Sequence, residues 1–253
     1  MKKTGIVTVL YNSEQVLFDF FESIGKQDYK NFILYIVDNS ATEKSKELIF
    51  NYGLKFNLSE QIKYIPSPSN IGVAAGNNIG IKEALNDNCD YILLSNNDIV
   101  IKDFQLFNKM VTVLEREDIT ILIPKIHFYN TNEIWFISGY INKFRAKCFH
   151  TNNYTIDLGQ FDNLESCTYA PTCFMFFKKE VFNKIGLMDE KYFVYYDDTD
   201  YLWRCMKGNF KVNIYTKGII EHKEGKSTGG QTSDFSFYYY TRNRFYFSSK
   251  INS

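Results

Sequence analysis

The sequence is poor in several features that mark common protein classes. Its 4 prolines and 14 glycines among 253 residues are too few for a disordered, collagen-like or linker-dominated chain. Its 5 cysteines include no C-x-x-C pair and are odd in number, which predicts reduced thiols in a cytoplasmic setting and argues against a structural zinc site. With 3 histidines and no G-x-S-x-G motif, nothing points to a serine hydrolase. The absence of G-x-G-x-x-G argues against a dinucleotide dehydrogenase.

An excess of charge of one sign and long apolar runs are also lacking. The 29 basic and 29 acidic side chains cancel, so no overall field draws the chain to nucleic acid, and we expect no nucleic-acid partner. No apolar run approaches the ~18 residues that a membrane helix needs, and no signal peptide opens the sequence. We therefore expect a soluble, cytoplasmic protein that is at most peripheral on a membrane.

The first half alternates short apolar runs with amphipathic ones. The patterns predict strands at 6–10, 32–37, 62–65, 91–94 and 119–123, and helices at about 13–24, 42–56, 74–86 and 103–116. Strands separated by single helices imply an α/β fold with a mostly parallel sheet covered on both faces. A ligand crevice is then expected at the carboxyl ends of the strands.

The second half breaks this rhythm. We predict strands at 134–144, 164–177 and 210–214, helices at 179–184 and 199–207, a polar mobile stretch near 150–160, and a helix in the aromatic tail at 235–247. No repeat or Pro/Gly/Ser-rich linker divides the chain, so residues 1–253 are interpreted as one continuous domain. The chain stops abruptly after Ser253, which leaves open a longer protein with a further helix.

Polar residues cluster just after several predicted strands. Asp38 lies where a carboxylate can meet a base or ribose, but the same residue type commonly forms a local turn and helix cap. Asn70-Ile71-Gly72 and Gly76-Asn77-Asn78 bracket a helix start, which suits an anionic group or ordinary turn chemistry. Asn96-Asn97-Asp98 follows a buried run and offers oxygen ligands for a divalent cation, or a simple loop turn.

Two further features carry candidate chemistry. Asp197-Asp198-Thr199-Asp200 places three carboxylates at a predicted helix start, where one is enough for a cap and another can take a proton from a hydroxyl. His222 follows an apolar run, and a lone histidine of this kind is more often an ordinary core or surface residue than a metal ligand.

Taken in order, these residues resemble the family-2 inverting glycosyltransferases of the GT-A fold. Within that family they are most similar to the rhamnosyltransferase-like branch of bacterial surface-polysaccharide enzymes. The matching stretches are Val7–Ser13, Asn70–Gly80, Leu94–Asp98, Gly186–Glu190 through Arg204, and Arg242-Asn243.

The resemblance implies a Rossmann-like fold in which 1–125 bind a nucleotide sugar and 126–253 form a smaller acceptor-binding and catalytic subregion. It implies a UDP- or dTDP-linked sugar donor, a glycan or lipid-linked glycan acceptor, and Mg²⁺ or Mn²⁺ as cofactor. It also places the donor against one set of residues: Thr8, Leu10, Tyr11, Asp38, Asn70, Gly72, Asn78, Asn96 and Asn97.

The catalytic and metal roles also come from the resemblance. Asp98 and His222 would hold the metal, Asp198 would act as general base, and Asp197 would help to orient the acceptor. Asn96 stands where the family's D-x-D motif has its first carboxylate, and Asp197 where the family usually has glutamate.

The sequence also leaves two other functions open. A sugar-phosphate nucleotidyltransferase uses a related fold, but the position of its glycine- and arginine-rich loop reads Tyr11-Asn12-Ser13-Glu14 here. A non-catalytic nucleotide-sugar-binding module is the second alternative. The aromatic and basic segment 235–250 is a candidate for peripheral membrane contact.

Overall fold

The fold is known from a computed structural model, which describes residues 2–116, 118–223 and 233–251. Its helices are α1 (Leu17–Gly25), α2 (Glu43–Lys55), α3 (Val73–Asn86), α4 (Leu106–Leu114), α5 (Lys179–Ile185), α6 (Asp197–Lys207) and α7 (Asp234–Ile251). Its strands are β1 (Thr4–Leu10), β2 (Phe32–Asp38), β3 (Ile62–Pro66), β4 (Tyr91–Ser95), β5 (Ile99–Val100), β6 (Ile121–Phe128), β7 (Ile134–Phe136), β8 (Ser138–Asn142), β9 (Lys147–Thr151), β10 (Ser166–Cys167), β11 (Phe174–Lys178) and β12 (Val212–His222).

The main sheet confirms the predicted α/β architecture. Its order is β10-β12-β6-β11-β4-β1-β2-β3, with β5 added to β12 and β7 to β6. Strands β1 to β4 are mutually parallel, whereas β11 is inserted antiparallel between β4 and β6. Strands β8 and β9 form a separate hairpin. The parallel strands end on one edge, at Leu10, Asp38 and Ser95.

Burial explains why the first-half strands were recognisable as continuous apolar runs. Every residue of β4 is buried, and β2 is buried except at Ile33, because helices cover both faces of the sheet. Thr42 caps α2 as the sequence predicts, with its hydroxyl accepting a hydrogen bond from the Ser45 amide at 3.0 Å.

Pro124 does not end a strand, contrary to the prediction for 119–123. It lies inside β6, opposite Tyr215, where the register between β6 and β12 shifts. Such an irregularity tolerates a residue that cannot donate to the ladder. Strand β6 also crosses the predicted boundary between 125 and 126, so the two halves share one sheet; the functional division between them stays a prediction.

Several second-half boundaries were wrong. The predicted strand 134–144 is split between β7 and β8, and 164–177 between β10 and β11, because bends interrupt each apolar run. Helix α6 begins at Asp197 rather than 199, which brings Asp197 and Asp198 into its first turn. Strand β12 continues to His222, eight residues beyond the predicted end at 214. The stretch near 150–160, predicted to be polar and mobile, starts within a strand, because residues 150–151 belong to β9.

The aromatic tail is helical, as predicted, and packs across the second half. Ser236, Asn243 and Phe247 of α7 are buried, and the Asn243 amide donates to the carbonyls of Val194 and Tyr195 at 2.8 and 2.9 Å. Within the described ranges, no helix is both long and apolar enough to cross a bilayer.

Candidate functional site

A cleft of about 310 Å³ opens beside the carboxyl ends of the parallel strands. Its polar lining comes mostly from strand ends and the turns that follow them, with Asn77 contributed by α3 and Thr172 by the segment before β11. The polar residues are Ser13, Asn39, Asn70, Asn77, Ser95, Asn96, Asn97, Asp98 and Thr172. Gly72 and a set of larger apolar and aromatic residues complete it: Val9, Tyr11, Val73, Phe193, Val194, Phe235 and Tyr239. The crevice therefore lies where the sequence analysis expects it.

One wall is a turn held by side-chain amides. The Asn70 carboxamide oxygen accepts from the Gly72 amide at 3.0 Å, and the Asn39 amide nitrogen donates to the Gly72 carbonyl at 3.1 Å. Gly72 has φ +86°, and a Cβ there would collide with the Phe193 carbonyl oxygen. Glycine is therefore required, both for the left-handed backbone and for the close approach of the 193 segment.

Close packing of α3 on β1 sets the depth of the cleft. A Cβ on Gly76 would lie 2.8 Å from both γ-carbons of Val9, so glycine lets the helix approach the strand end directly. Asn77 lines the cleft. Its neighbour Asn78 points elsewhere, donating to the Met188 carbonyl and accepting from the Met188 amide, both at 2.9 Å.

Asp98 and His222 meet at the edge of this cleft. Strand β5 pairs with the end of β12, with Ile99 opposite His222, and this pairing brings His222 Nε2 to 3.1 Å from Asp98 Oδ1. The backbone is fixed nearby, because the Lys223 amide donates to the Asp98 carbonyl at 2.8 Å. Burial acts to raise the pKa of Asp98, but the charge and hydrogen bond of His222 bring it below its ordinary value.

This pair has the donor chemistry for a divalent cation carried on a diphosphate. A carboxylate oxygen and an imidazole nitrogen face each other, and His222 Nδ1 is buried without a protein partner. Within the described ranges, no group of three or more Asp, Glu, His or Cys is arranged for metal binding. A cation at this site would therefore need phosphate and water oxygens as well, as Mg²⁺ sites on nucleotides commonly do. The residues that follow this strand end, 224–232, lie outside the described residues.

Two neighbouring carboxyls, Asp197 and Asp198, lie at the start of α6 and are called here the acidic pair. Asp198 is held by three hydrogen bonds: from the Tyr169 hydroxyl to Oδ2 at 2.8 Å, and to Oδ1 from the Thr199 amide at 2.6 Å and hydroxyl at 3.1 Å. Tyr196 precedes the pair with φ +66°, a backbone conformation that is uncommon for a bulky residue and often occurs at functional sites.

Electrostatics distinguish the two carboxyls. Burial raises the pKa of Asp197 to about 8, with the neighbouring Asp198 charge adding to the rise. Burial also raises the pKa of Asp198, but the hydrogen bonds from Tyr169 and Thr199 favour its anion and oppose the shift. Burial and crowding therefore favour the neutral form of Asp197, whereas the hydrogen bonds to Asp198 favour its ionised form, in which it can accept a proton.

Asp98 and Asp198 both act electrostatically on the buried Cys173 thiol. The Cys173 carbonyl accepts from the Asn96 amide at 2.8 Å, at the start of the Asn96–Asp98 turn. Burial raises the pKa of the Cys173 thiol, and the charges of Asp98 and Asp198 both raise it further, so both carboxylates lie within electrostatic reach of one side chain. Asp98 lines the cleft, whereas Asp197 and Asp198 do not.

Several residues assigned to the donor have other contacts in the structure. The Asp38 carboxylate is fully buried and accepts hydrogen bonds from Ser40, Ala41, Ser45 and Tyr64. Thr8 and Leu10 are buried in β1. Four of the predicted donor residues, Thr8, Leu10, Asp38 and Asn78, do not line the cleft. The other five do: Tyr11, Asn70, Gly72, Asn96 and Asn97. Their roles in donor binding stay predictions.

Sequence reasoning did not place the aromatic residues Phe193, Phe235 and Tyr239 that form one wall of the cleft. Phe193 stacks on Tyr239 with ring centroids 5.2 Å apart, and Phe235 lies edge-on to Phe193 at 6.4 Å. Both Phe235 and Tyr239 belong to α7, so this helix closes one side of the cleft. The high aromatic content of the tail was the available signal, but only the tertiary packing of α7 shows where it points.

Comparison with known proteins places the chain in a family. The family model described as "Glycosyl transferase family 2" matches residues 5–186. A low-salt glycan biosynthesis hexosyltransferase, Agl10 of Haloferax volcanii, is 25% identical over 98% of this chain and 76% of that protein. The dTDP-rhamnosyl transferase RfbF of Shigella flexneri is 28% identical over 87% of this chain and 68% of its own length.

Solved structures agree at the level of the fold. The mannosyltransferase PcManGT from Pyrobaculum calidifontis, solved with GDP-Man and Mn²⁺, has a TM-score of 0.63 at 10% identity, covering 98% of this chain and 73% of that one. S. aureus TarS 1-349 with UDP-GlcNAc has a TM-score of 0.61 at 15% identity, covering 89% and 60%. This chain thus spans about three-fifths of that TarS chain. The chain belongs to glycosyl transferase family 2 and is a glycosyltransferase with the GT-A fold.

Proposed function

We propose that this chain transfers a sugar, with inversion, from a UDP- or dTDP-linked donor to a glycan or lipid-linked glycan acceptor in surface polysaccharide synthesis. The observation that carries the proposal is the cleft at the carboxyl ends of the parallel strands, with Asp98 in its lining and His222 Nε2 3.1 Å from that carboxylate. A donor diphosphate bound near Asp98 would then present its sugar toward Asp198.

The donor side rests on the cleft and the residues around it. Tyr11, Asn39 and the Asn70–Gly72 turn supply aromatic and amide groups for the base and ribose. Asp98 and His222 would hold Mg²⁺ or Mn²⁺ beside the diphosphate, and the ion would supply positive charge that offsets the charge growing on the leaving group. PcManGT, solved with GDP-Man and Mn²⁺, shares the fold.

The transfer step assigned to these residues is a single displacement. Asp198 accepts the proton of an acceptor hydroxyl as its oxygen bonds to the anomeric carbon, while the carbon–oxygen bond to the diphosphate breaks on the opposite face. The products are the glycoside, the nucleoside diphosphate and a protonated Asp198. Asp197, mainly neutral beside it, donates a hydrogen bond that helps to orient the acceptor.

The location that fits this role is the cytoplasmic face of a membrane, with the protein held there peripherally. Support comes from α7, which carries Phe237 and Phe245 exposed by 73% and 75%. Exposed aromatic residues are typical of surfaces that lie at a lipid interface.

A screen of nucleotide sugars by thermal shift, with and without Mn²⁺, tests the proposal. A bound donor stabilises the folded protein by RT ln(1 + [L]/Kd), so about 100 Kd of the true donor adds roughly 2.7 kcal/mol. With the donor found, release of nucleoside diphosphate in the presence of an acceptor is the expected result. Release of pyrophosphate would indicate the nucleotidyltransferase instead, and binding with no turnover on any acceptor would indicate the binding module.

A further inference from the structure

A second cavity, of about 670 Å³, lies outside the donor cleft, between the β8–β9 turn and α7. We refer to it as the basic groove. Its helical side is formed by Phe237, Thr241, Arg244, Phe245 and Ser248. These residues recur at the three- and four-residue spacing of one helix face, so a continuous strip of α7 faces the groove.

The charged residues of the groove are all cations. Arg145, Lys147 and Arg244 line it, and no acidic side chain does. None of the three takes part in an ion pair within the described ranges. Arg244 Nε donates to the backbone carbonyl of Arg145 at 3.0 Å, which holds the Arg244 guanidinium against the β8–β9 turn. In a chain of zero net charge, this concentration of cations fits an anionic ligand group, and guanidinium groups suit phosphate in particular.

Apolar surface surrounds these cations. Phe144, at the tip of the β8–β9 turn, is fully exposed, and Phe237 and Phe245 of α7 are largely exposed. Three exposed phenylalanines lining one groove are unusual on a soluble surface, and they indicate a ligand with an apolar part. A free phosphate or sugar phosphate would leave them without contacts.

The groove adjoins the acidic pair. Tyr196, which lines the groove, directly precedes Asp197 and hydrogen-bonds the Ala146 carbonyl at 3.0 Å. Tyr240, also in the lining, has its pKa raised by burial and then by the Asp198 charge. The groove therefore reaches the residue that precedes Asp197, although neither Asp197 nor Asp198 lines it.

From this combination we propose that the basic groove binds a lipid phosphate, with the phosphate on Arg145 and Arg244 and the apolar chain across Phe144, Phe237 and Phe245. The inference rests on the proposed function, because it identifies the anchor of the lipid-linked acceptor. The proposed ligand is a single carrier lipid, bound through its phosphate and its chain, and not the surface of a bilayer.

Calorimetric binding of geranyl phosphate to the full chain tests the proposal, with inorganic phosphate and geraniol as the two halves of the ligand. We expect geranyl phosphate to bind at least about tenfold more tightly than either half. Arg145→Ala, whose side chain has no hydrogen bond within the described ranges, and Arg145→Ala/Arg244→Ala should each weaken it, the double variant by about tenfold or more. Phe144→Ala/Phe237→Ala should weaken geranyl phosphate but not inorganic phosphate.

The matched control is Lys44→Ala/Lys211→Ala, which removes two exposed positive charges outside the groove and should bind geranyl phosphate as the unchanged protein does. Equal binding of geranyl phosphate and inorganic phosphate, or undiminished binding by the arginine double variant, would overturn the proposal. So would binding to phosphatidylserine vesicles that equals binding to phosphatidylcholine vesicles doped with a prenyl phosphate. Nucleotide-sugar binding is measured on the same samples. If it persists while geranyl phosphate fails, only the groove proposal falls; if it is absent throughout, the proposed function falls instead.

Discussion

The Tyr169 hydroxyl donates to Asp198 Oδ2 at 2.8 Å, across the gap between the β10–β11 segment and the first turn of α6. The tyrosine ring is buried, and its own pKa is raised well above the ordinary value by burial and by the Asp198 charge. The hydroxyl therefore stays neutral near pH 7, donates to the carboxylate and fixes it in one orientation.

Asp198→Asn tests the base directly. The amide keeps the size of the side chain but cannot accept the proton, so we expect transfer to fall by about 10²–10⁴-fold, the usual contribution of a general base. Donor affinity should stay within a few-fold, because Asp198 does not line the donor cleft. Initial rates and donor titration measure both. The control is Asp118→Asn, an exposed carboxylate, and full activity in Asp198→Asn would remove the residue from the mechanism.

Tyr169→Phe tests the positioning of Asp198 without removing its charge. The lost hydrogen bond favoured the carboxylate, so the pKa of Asp198 should rise and the acidic limb of the pH–rate profile should move to higher pH. We expect kcat at low pH to fall by roughly tenfold and to recover as pH rises. Tyr140→Phe, which removes an exposed hydroxyl, should leave the profile unchanged. A uniform loss of activity with no shift would mean that Tyr169 is only structural.

Asp197→Asn should stabilise the protein, and more so at higher pH. Because burial raises the pKa of Asp197 to about 8, the folded state binds its proton more tightly than the unfolded chain does. The associated stability is complete below the unfolded pKa near 3.8 and is lost as pH rises through the folded value. An amide needs no proton, so the melting-temperature difference between variant and unchanged protein should widen between about pH 5 and pH 8. A constant difference would contradict the assignment.

Metal dependence should follow Asp98 and His222. A chelator is expected to suppress transfer, and Mg²⁺ or Mn²⁺ to restore it. Asp98→Asn should weaken Mn²⁺-dependent donor binding by about 10–100-fold, because it removes the one carboxylate of the pair. The readout is donor affinity with and without Mn²⁺, and His222→Ala should reduce the same difference. Unchanged activity in chelator would take the metal out of the mechanism.

The sequence predicted the architecture better than the site. Buried strands such as β4 are recognisable in the sequence as apolar runs. The polar residues that follow them, including Asp98, could therefore be placed at the crevice. The contact between Asp98 and His222 depends on the pairing of β5 with β12, which no local pattern encodes, and was reached through family resemblance. Cys173 and Tyr169 could not have been found, because their importance comes only from the packing of β11 and its preceding segment between distant elements.

Local chemistry also misled in a specific way. The polar residue after β2, Asp38, looks like a ligand-binding carboxylate, but its oxygens are occupied by Ser45, Tyr64 and the following turn. The neighbouring Asn39 faces the cleft instead. Whether a side chain turns inward to its own loop or outward to a ligand is decided by tertiary partners such as Tyr64, which lies on another strand.

Gly72→Ala should damage the donor cleft more than an equivalent change elsewhere. Gly72 and Gly186 both combine positive φ with extended ψ, at +86°, 178° and +80°, −163°, a region that glycine alone populates readily, so alanine costs each of them about 1–3 kcal/mol in conformation. Only at Gly72 does the new methyl meet the Phe193 carbonyl, whereas nothing lies within 4 Å at Gly186. We therefore expect Gly72→Ala to lower the melting temperature further than Gly186→Ala and to weaken donor binding, while Gly186→Ala leaves donor affinity unchanged. Equal stability and equal donor affinity in the two variants would show that the approach of Phe193 to this turn does not shape the cleft.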